Sequence, residues 1–298
     1  MSFWSALKAG FGFLSILPVG ITMEGIEELM NKLYFYPITG ALLGILIGIC
    51  AFVFELILPS PLTVIAIILT IYGLTWFNHL DGIADMGDGM TAHGSLEKKR
   101  KALKDMALGV GGVACAALLL LSLYASIASL ESAAVLFEPF AAEWNMYLFG
   151  LLSVLTEILP AYLSTGAVLA VSVAAVVTLT AVVAETLSKQ SMLTIATFGK
   201  PFSEGLGSMT MKGGTKKNFA IGIIFSTVVA VLSLGVLGLL CVIVTTAAAG
   251  IVLRTSNRHF EGLNGDGIGT ANEIGRMLTF ATMAVVIWIL GGGISWML

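Results

Sequence analysis

The chain has 298 residues, 57% of them hydrophobic and 11% charged, with a mean hydropathy of +0.98 and a net charge of −3. Soluble domains carry about 25% charged residues, so that class is excluded. The short alternating segments of a membrane β-barrel are missing, and the charge balance does not point to nucleic acid.

In chain order, Phe3 to Gly20 is apolar but broken by Lys8 and Pro18, which reads as an amphipathic helix at the membrane interface rather than a cleavable signal. Apolar runs then predict membrane spans near 38–58, 60–77, 108–130, 166–187, 219–236, 238–254 and 278–297. The run 219–253 would be about 50 Å long as one helix, too long for one crossing, and Gly235 and Gly238 mark its break. Residues 146–163 are apolar but short and contain Glu157 and Pro160. The three cysteines, Cys50, Cys115 and Cys241, sit inside apolar runs and read as small hydrophobes.

Basic residues set the topology, because cytoplasmic loops collect them. They gather before the first span (Lys8, Lys32), in 78–107 (Lys98, Lys99, Arg100, Lys101, Lys104), in 188–217 and in 254–276. Segment 131–145 has none. The expected fold is therefore all-α and polytopic: about seven transmembrane helices forming one membrane-embedded domain over 1–298, N-terminus inside and C-terminus outside. Residues 146–163 would then lie on the outer surface or re-enter. Every polar stretch faces the cytoplasm in this arrangement. Glu55 and Glu185 fall near span ends, where they can reach the interface, and Glu185 pairs with Lys189 at i, i+4.

Three polar stretches carry the candidate chemistry. The first, Asn78 to Gly89, holds Asp81, Asp85 and Asp88, with Asp105 following. On a helix those spacings place the three carboxylates on one side about 60° wide. Converging carboxylates need a cation, and magnesium takes such oxygens together with substrate phosphates. A solvated Asp/Gly loop is the plainer alternative. His79 and His93 flank the cluster as hydrogen-bond partners or a base. The lysine run suits topology, anionic lipid, or a rim for a polyanionic substrate. The second stretch, Ser203 to Gly207 with Lys212, is a weak backbone anion site. The third, Glu261 to Glu273, has Gly262, Gly265, Gly267 and Gly269, a spacing that predicts no plain helix. Asp266, Asn272 and Glu273 there could add oxygen ligands or hold a sugar hydroxyl.

These residues resemble the cobalamin synthase family, the membrane-bound adenosylcobinamide-GDP ribazoletransferases. The resemblance runs through Phe13-Leu14-Ser15-Ile16-Leu17-Pro18-Val19, Tyr36-Pro37-Ile38-Thr39-Gly40, His79 to Asp85 with Asp88-Gly89, Lys104-Asp105 with Gly109 and Gly112, Glu204 to Gly207, and Asn264 to Glu273. Lys104 stands where many members have arginine, and a Ser-Arg pair with a histidine after Asp105 is absent. The run Asp85 to His93 also resembles the start of the CDP-alcohol phosphotransferase signature, with His93 where that pattern has arginine.

The resemblance implies a Mg²⁺-dependent enzyme of the cell membrane, its active site facing the cytoplasm. Ribazole or its 5′-phosphate would attack adenosylcobinamide-GDP and release GMP, completing the nucleotide loop. Asp81, Asp85, Asp88 and His79 would be catalytic, and Asp81, Asp85, Asp88 and Asp105 would hold magnesium. Lys104, Glu204, Gly205, Gly207, Gly265, Asp266 and Glu273 would bind substrate. Besides those substrates, membrane lipid is an expected partner, and a homo-oligomer stays open. The rival readings are a phospholipid-making CDP-alcohol phosphatidyltransferase and a cation-coupled transporter.

Overall fold

Lipid offers the backbone no hydrogen-bond partners, so a long apolar run closes its own as a helix. The computed structural model describes residues 3–105, 107–137 and 165–291, and those residues fold as helices with an isolated bridge between Pro201 and Leu263. The helices are α1 (Phe3–Leu14), α2 (Met23–Asn31), α3 (Phe35–Ile57), α4 (Ser60–Thr75), α5 (Leu80–Thr91), α6 (Leu96–Ala102), α7 (Val110–Phe137), α8 (Thr165–Phe198), α9 (Leu206–Gly213), α10 (Lys216–Phe260) and α11 (Gly265–Leu290). The expected surface or re-entrant piece at 146–163 lies outside the described residues.

Helices α3, α7, α8, α10 and α11 are long and apolar enough to cross a membrane, and α4 qualifies together with α5, from which it is bent by 90°. The 45 residues of α10 would reach about 68 Å if straight, twice a hydrocarbon core. They do not run straight. Gly235 takes φ 59 and ψ −139, and a Cβ on Gly238 would collide with the Ala230 carbonyl oxygen. Residues eight apart in a straight helix are about 12 Å apart, so the two arms fold back against each other. The break expected at Gly235 and Gly238 is there. The described residues thus hold five helices, or up to six spans with the bent pair counted as one, that are long and apolar enough to cross.

The helix ends differ from the sequence reading in one consequential way. α8 runs on to Phe198 and α11 starts at Gly265, so both extend well past their expected spans toward the polar end. Charges assigned to loops or interfaces are thereby drawn into the bundle. Glu185 does not reach the interface: it is 1% exposed, and Lys189 and Arg276 are equally buried. Glu131, expected outside the spans, is buried on α7 and accepts a hydrogen bond from Ser60.

One core fills the bundle between α3, α4, α7, α8, α10 and α11. A second joins α1 and α2 to the near ends of α3, α8 and α11. α1 is amphipathic as expected, burying Ala6, Leu7, Ala9 and Leu14 while Phe3 and Trp4 stay exposed. The polar stretches all meet at this end.

Candidate active site

The chain enters the first acidic stretch through a strained elbow. Trp76 (φ 50) and Phe77 (φ 60) are both left-handed, a conformation that costs a bulky residue about 1–3 kcal/mol. Phe77 stacks on Tyr72 with ring centroids 5.4 Å apart. This elbow turns α5 across the end of the bundle. Along α5, Asp81, Asp85 and Asp88 share the less buried side, while Gly82, Ile83, Met86, Gly87 and Gly89 are buried. The helical, one-sided arrangement of the aspartates is therefore present. The glycines let α5 lie close to its neighbours: a Cβ on Gly87 would stand 2.7 Å from the Gly111 carbonyl oxygen, and one on Gly89 would stand 2.9 Å from the Phe260 ring.

The third stretch corrects an expectation. Gly265, Gly267 and Gly269 lie inside the first turns of α11, not in a loop. Helical glycines cost about 0.5–1 kcal/mol each. Here that cost is offset by the Asn264 cap, whose side chain accepts from the Gly267 N–H, and by close approach of the His79 backbone to Gly269; the Gly265 backbone in turn lies against Gly207 of α9. The second stretch is tied on by two backbone bonds: Phe202 N–H donates to Leu263 O (3.0 Å) and Leu263 N–H donates to Lys200 O (2.8 Å). Thr270 Oγ1 donates to Gly82 O (2.9 Å), joining α11 to α5.

Among the aspartates, burial lifts Asp85 to about 7, and the negative charges of Asp266, Asp81 and Asp88 add to the effect in that order. Asp266 accepts from the Asn264 amide. The Lys104 ammonium is close enough to Asp266 to act on it electrostatically, and it sits 6.0 Å from the Phe202 ring centroid. Asp88 serves another element: the N–H groups of Gly109 (2.7 Å) and Gly112 (2.8 Å), where α7 begins, donate to its two oxygens. Asp105 is exposed and accepts from the Ala107 N–H at 3.1 Å. Asp88 and Asp105 both line an open cleft of about 590 Å³ beside Gly109 to Gly111. Among the described residues, no three His, Cys, Asp or Glu side chains are arranged to hold a metal, so Asp81, Asp85, Asp88 and Asp105 do not form a ready four-carboxylate cage.

His79 is buried before α5, and burial pushes its imidazole down to about 3, helped by the Lys189 charge. His93 and Glu204 are exposed. Gly205 adopts φ 146, open only to glycine, and caps α9. Glu273 departs from its expected substrate role: it is 1% exposed and accepts from Tyr72 (2.7 Å), Asn272 (2.8 Å) and Arg276 (2.6 Å). Arg276 also pairs with Glu185, which pairs with Lys189. This neutral buried quartet lies directly behind His79. The sequence reading missed Arg276 as a member and Tyr72 as a hydrogen-bond donor to it. The signal was there in Arg276, a charge three residues past Glu273 on a continuing apolar helix.

A cavity of about 410 Å³ brings the stretches together. Gly12, Phe13, Tyr36, Asn78, His79, Gly207, Gly265 and Asp266 all line it, each from a segment that the sequence reading singled out. Phe13 and Tyr36 were noted only for resemblance, and both are walls of this cavity.

Fold and site together define a polytopic α-helical membrane protein with a glycine-lined pocket, bordered by Asp266, at one end of its bundle. The sequence profile of cobalamin-5-phosphate synthase matches residues 6–155 and 148–284. The chain belongs to that family. It is 45% identical to the adenosylcobinamide-GDP ribazoletransferase of Methanosarcina mazei over 100% of this chain and 99% of that protein. The protein of the same name from Methanococcoides burtonii is 41% identical over 99% of this chain and 98% of its own length. At greater distance, that of Halorubrum lacusprofundi is 30% identical over 95% and 98%. No solved structure matches the chain.

Proposed function

We propose that this chain is an adenosylcobinamide-GDP ribazoletransferase: a ribazole hydroxyl, free or on the 5′-phosphate form, displaces GMP from adenosylcobinamide-GDP. The supporting observation is the meeting of α5 and α11, where Asp81, Asp85 and Asp266 crowd together beside a nucleoside-sized cavity. Full-length likeness to enzymes of that name supports the same substrates.

Displacement at phosphorus needs positioning and charge neutralisation more than covalent catalysis. Asp85, lifted to about 7, is poised to take the hydroxyl proton near neutral pH. Its crowding by like charges is what a divalent cation relieves. Magnesium ordinarily takes one or two carboxylates plus substrate phosphates, and Asp81 and Asp266 fit that need without a protein cage. Bound there, the ion would offset the charge of the diphosphate and the departing GMP. Asp88 positions the start of α7, and Lys104 adds a cation at the rim. Neutral His79 offers a hydrogen bond rather than a proton relay. The open end of the bundle would face the cytoplasm of the cell membrane, following the basic residues of α6 and of the end of α10.

The test is detergent-purified chain with adenosylcobinamide-GDP, ribazole phosphate and magnesium, scored for GMP. GMP release that needs all three is the expected result. Release that ignores the ribazole, or none at all, would refute the reading.

A further inference from the structure

The family reading names two nucleosides, the guanosine of the donor and the ribazole of the acceptor, but not where either sits. The cavity beside Asp266 discriminates between them. At about 410 Å³ it falls in the range of single small-molecule sites and leaves no room for a corrinoid with its nucleotide. Much of its wall is apolar: Phe13, Ile21, Ile26, Met192, Leu206 and Ile268. Phe13 stacks on Tyr36 with centroids 6.1 Å apart and planes 22° from parallel, making an aromatic surface at one side. Its polar groups come from several elements: Tyr36 from α3, Thr210 from α9, Asn78 and His79 from the elbow, and Asp266 from α11.

We infer that this cavity is the acceptor subsite, which holds the base of the ribazole against Phe13 and directs its sugar toward Asp266, and that it selects a flat base with an apolar edge over a purine. The inference rests on the transferase reading above. Burying the donors and acceptors of guanine against the aliphatic wall would leave them unpaired, at about 1–3 kcal/mol each. An azole base with a hydrocarbon rim carries no such penalty. The sugar end has the opposite need, and the structure supplies it. His79 is 7% exposed, and its Nδ1 is buried with no hydrogen-bond partner among the described residues. A buried polar atom without a partner is rare and calls for an explanation. A ribose hydroxyl entering the cavity would provide that partner. Asp266 lines the same cavity and bears on Asp85, so a sugar bound there stands next to the carboxylates. Residues of α1 and the α1–α2 region thereby become specificity determinants.

The experiment uses the full chain in nanodiscs with benzimidazole riboside as probe. Two variants alter the cavity: Phe13→Ala, which removes the stacking surface, and Leu206→Trp, which adds bulk at a position 62% exposed and so leaves the fold intact. Each should raise the riboside KM about tenfold or more and leave the adenosylcobinamide-GDP KM unchanged. Calorimetry should show the riboside binding the wild type, binding lost in Leu206→Trp, and no displacement by GMP. A shift in the donor KM instead, or displacement by GMP, would overturn the assignment by making this the guanosine site. Unchanged riboside binding in both variants would overturn it as well. Failure of the transferase reading would look different: wild-type protein would bind the riboside yet release no GMP.

Discussion

Gly82 and Asp266 meet backbone to backbone: a Cβ on Gly82 would stand 2.6 Å from the Asp266 carbonyl oxygen. The two acidic stretches, distant in sequence, are thus in close backbone contact at Gly82. Gly82→Ala must push α5 away from α11, and misplacement by about 1 Å can cost a hundredfold in rate. We expect at least a tenfold loss of GMP release, with the protein still inserted and folded. Gly73→Ala is the control, since a Cβ there meets nothing within 4 Å. Equal activity of both variants would show the spacing to be irrelevant.

Asp85 and Asp88 sit on the same side of α5 but should fail for different reasons when changed. Asp85→Asn removes the poised carboxylate and relieves repulsion, so activity should fall by at least about two orders of magnitude while thermal stability holds or rises. Asp88→Asn replaces charge-assisted bonds to Gly109 and Gly112 at a helix start, each worth about 1.5–3 kcal/mol. Its activity should fall together with its melting temperature. Paired activity and melting measurements separate the two. Identical stability profiles would rule out the division of roles.

The pH dependence follows from Asp85. Its folded pKa is raised from 3.8 to about 7, so the carboxylate is protonated below that value and ionised above it. An ionised Asp85 is needed to accept a proton. Magnesium on Asp81 and Asp266 would offset part of the repulsion, so kcat/KM should rise with pH through a step below about 7 and level off, and the step should vanish from the residual rate of Asp85→Asn. The stability term has the opposite sign: because the ionised form is disfavoured in the folded state, stability declines as pH rises from about 4 through 7. A kcat/KM that falls across that window would remove Asp85 from the proton-accepting role.

Much of this arrangement was legible beforehand, because apolar length is a local signal. The runs that became α3, α7 and α8 could be read by counting, and so could the break at Gly235. Asp81, Asp85 and Asp88 stood out because the chain has only five aspartates. What could not be read was anything decided by distant pairing. Gly265, Gly267 and Gly269 looked like helix breakers, since the backbone that packs against Gly269 belongs to His79, far away in sequence. Glu185 looked like an interface carboxylate, since its partner Arg276 is on another helix. Phe13 and Tyr36 carried no local mark of being walls of one cavity. Composition assigns residues to lipid or water, but it does not distinguish a charge at the surface from one matched by a remote partner.

The buried quartet makes that point measurable. Glu185 and Glu273 balance Lys189 and Arg276, all within 1% of full burial. Glu185→Gln leaves two cations facing one carboxylate, and breaking a buried pair in this way costs about 3–5 kcal/mol. Adding Lys189→Met to it restores neutrality, with Arg276 still bonded to Glu273 at 2.6 Å. The single variant should melt well below wild type in detergent, and the double variant should recover most of the loss. Activity should follow the same order, because the quartet joins α8 to α11 next to His79 at the edge of the cavity. If the double variant is no more stable than the single one, charge balance is not what holds α8 to α11. Hydrogen-bond geometry at Glu185 would then be the controlling feature, and Lys189→Met alone should be nearly as damaging.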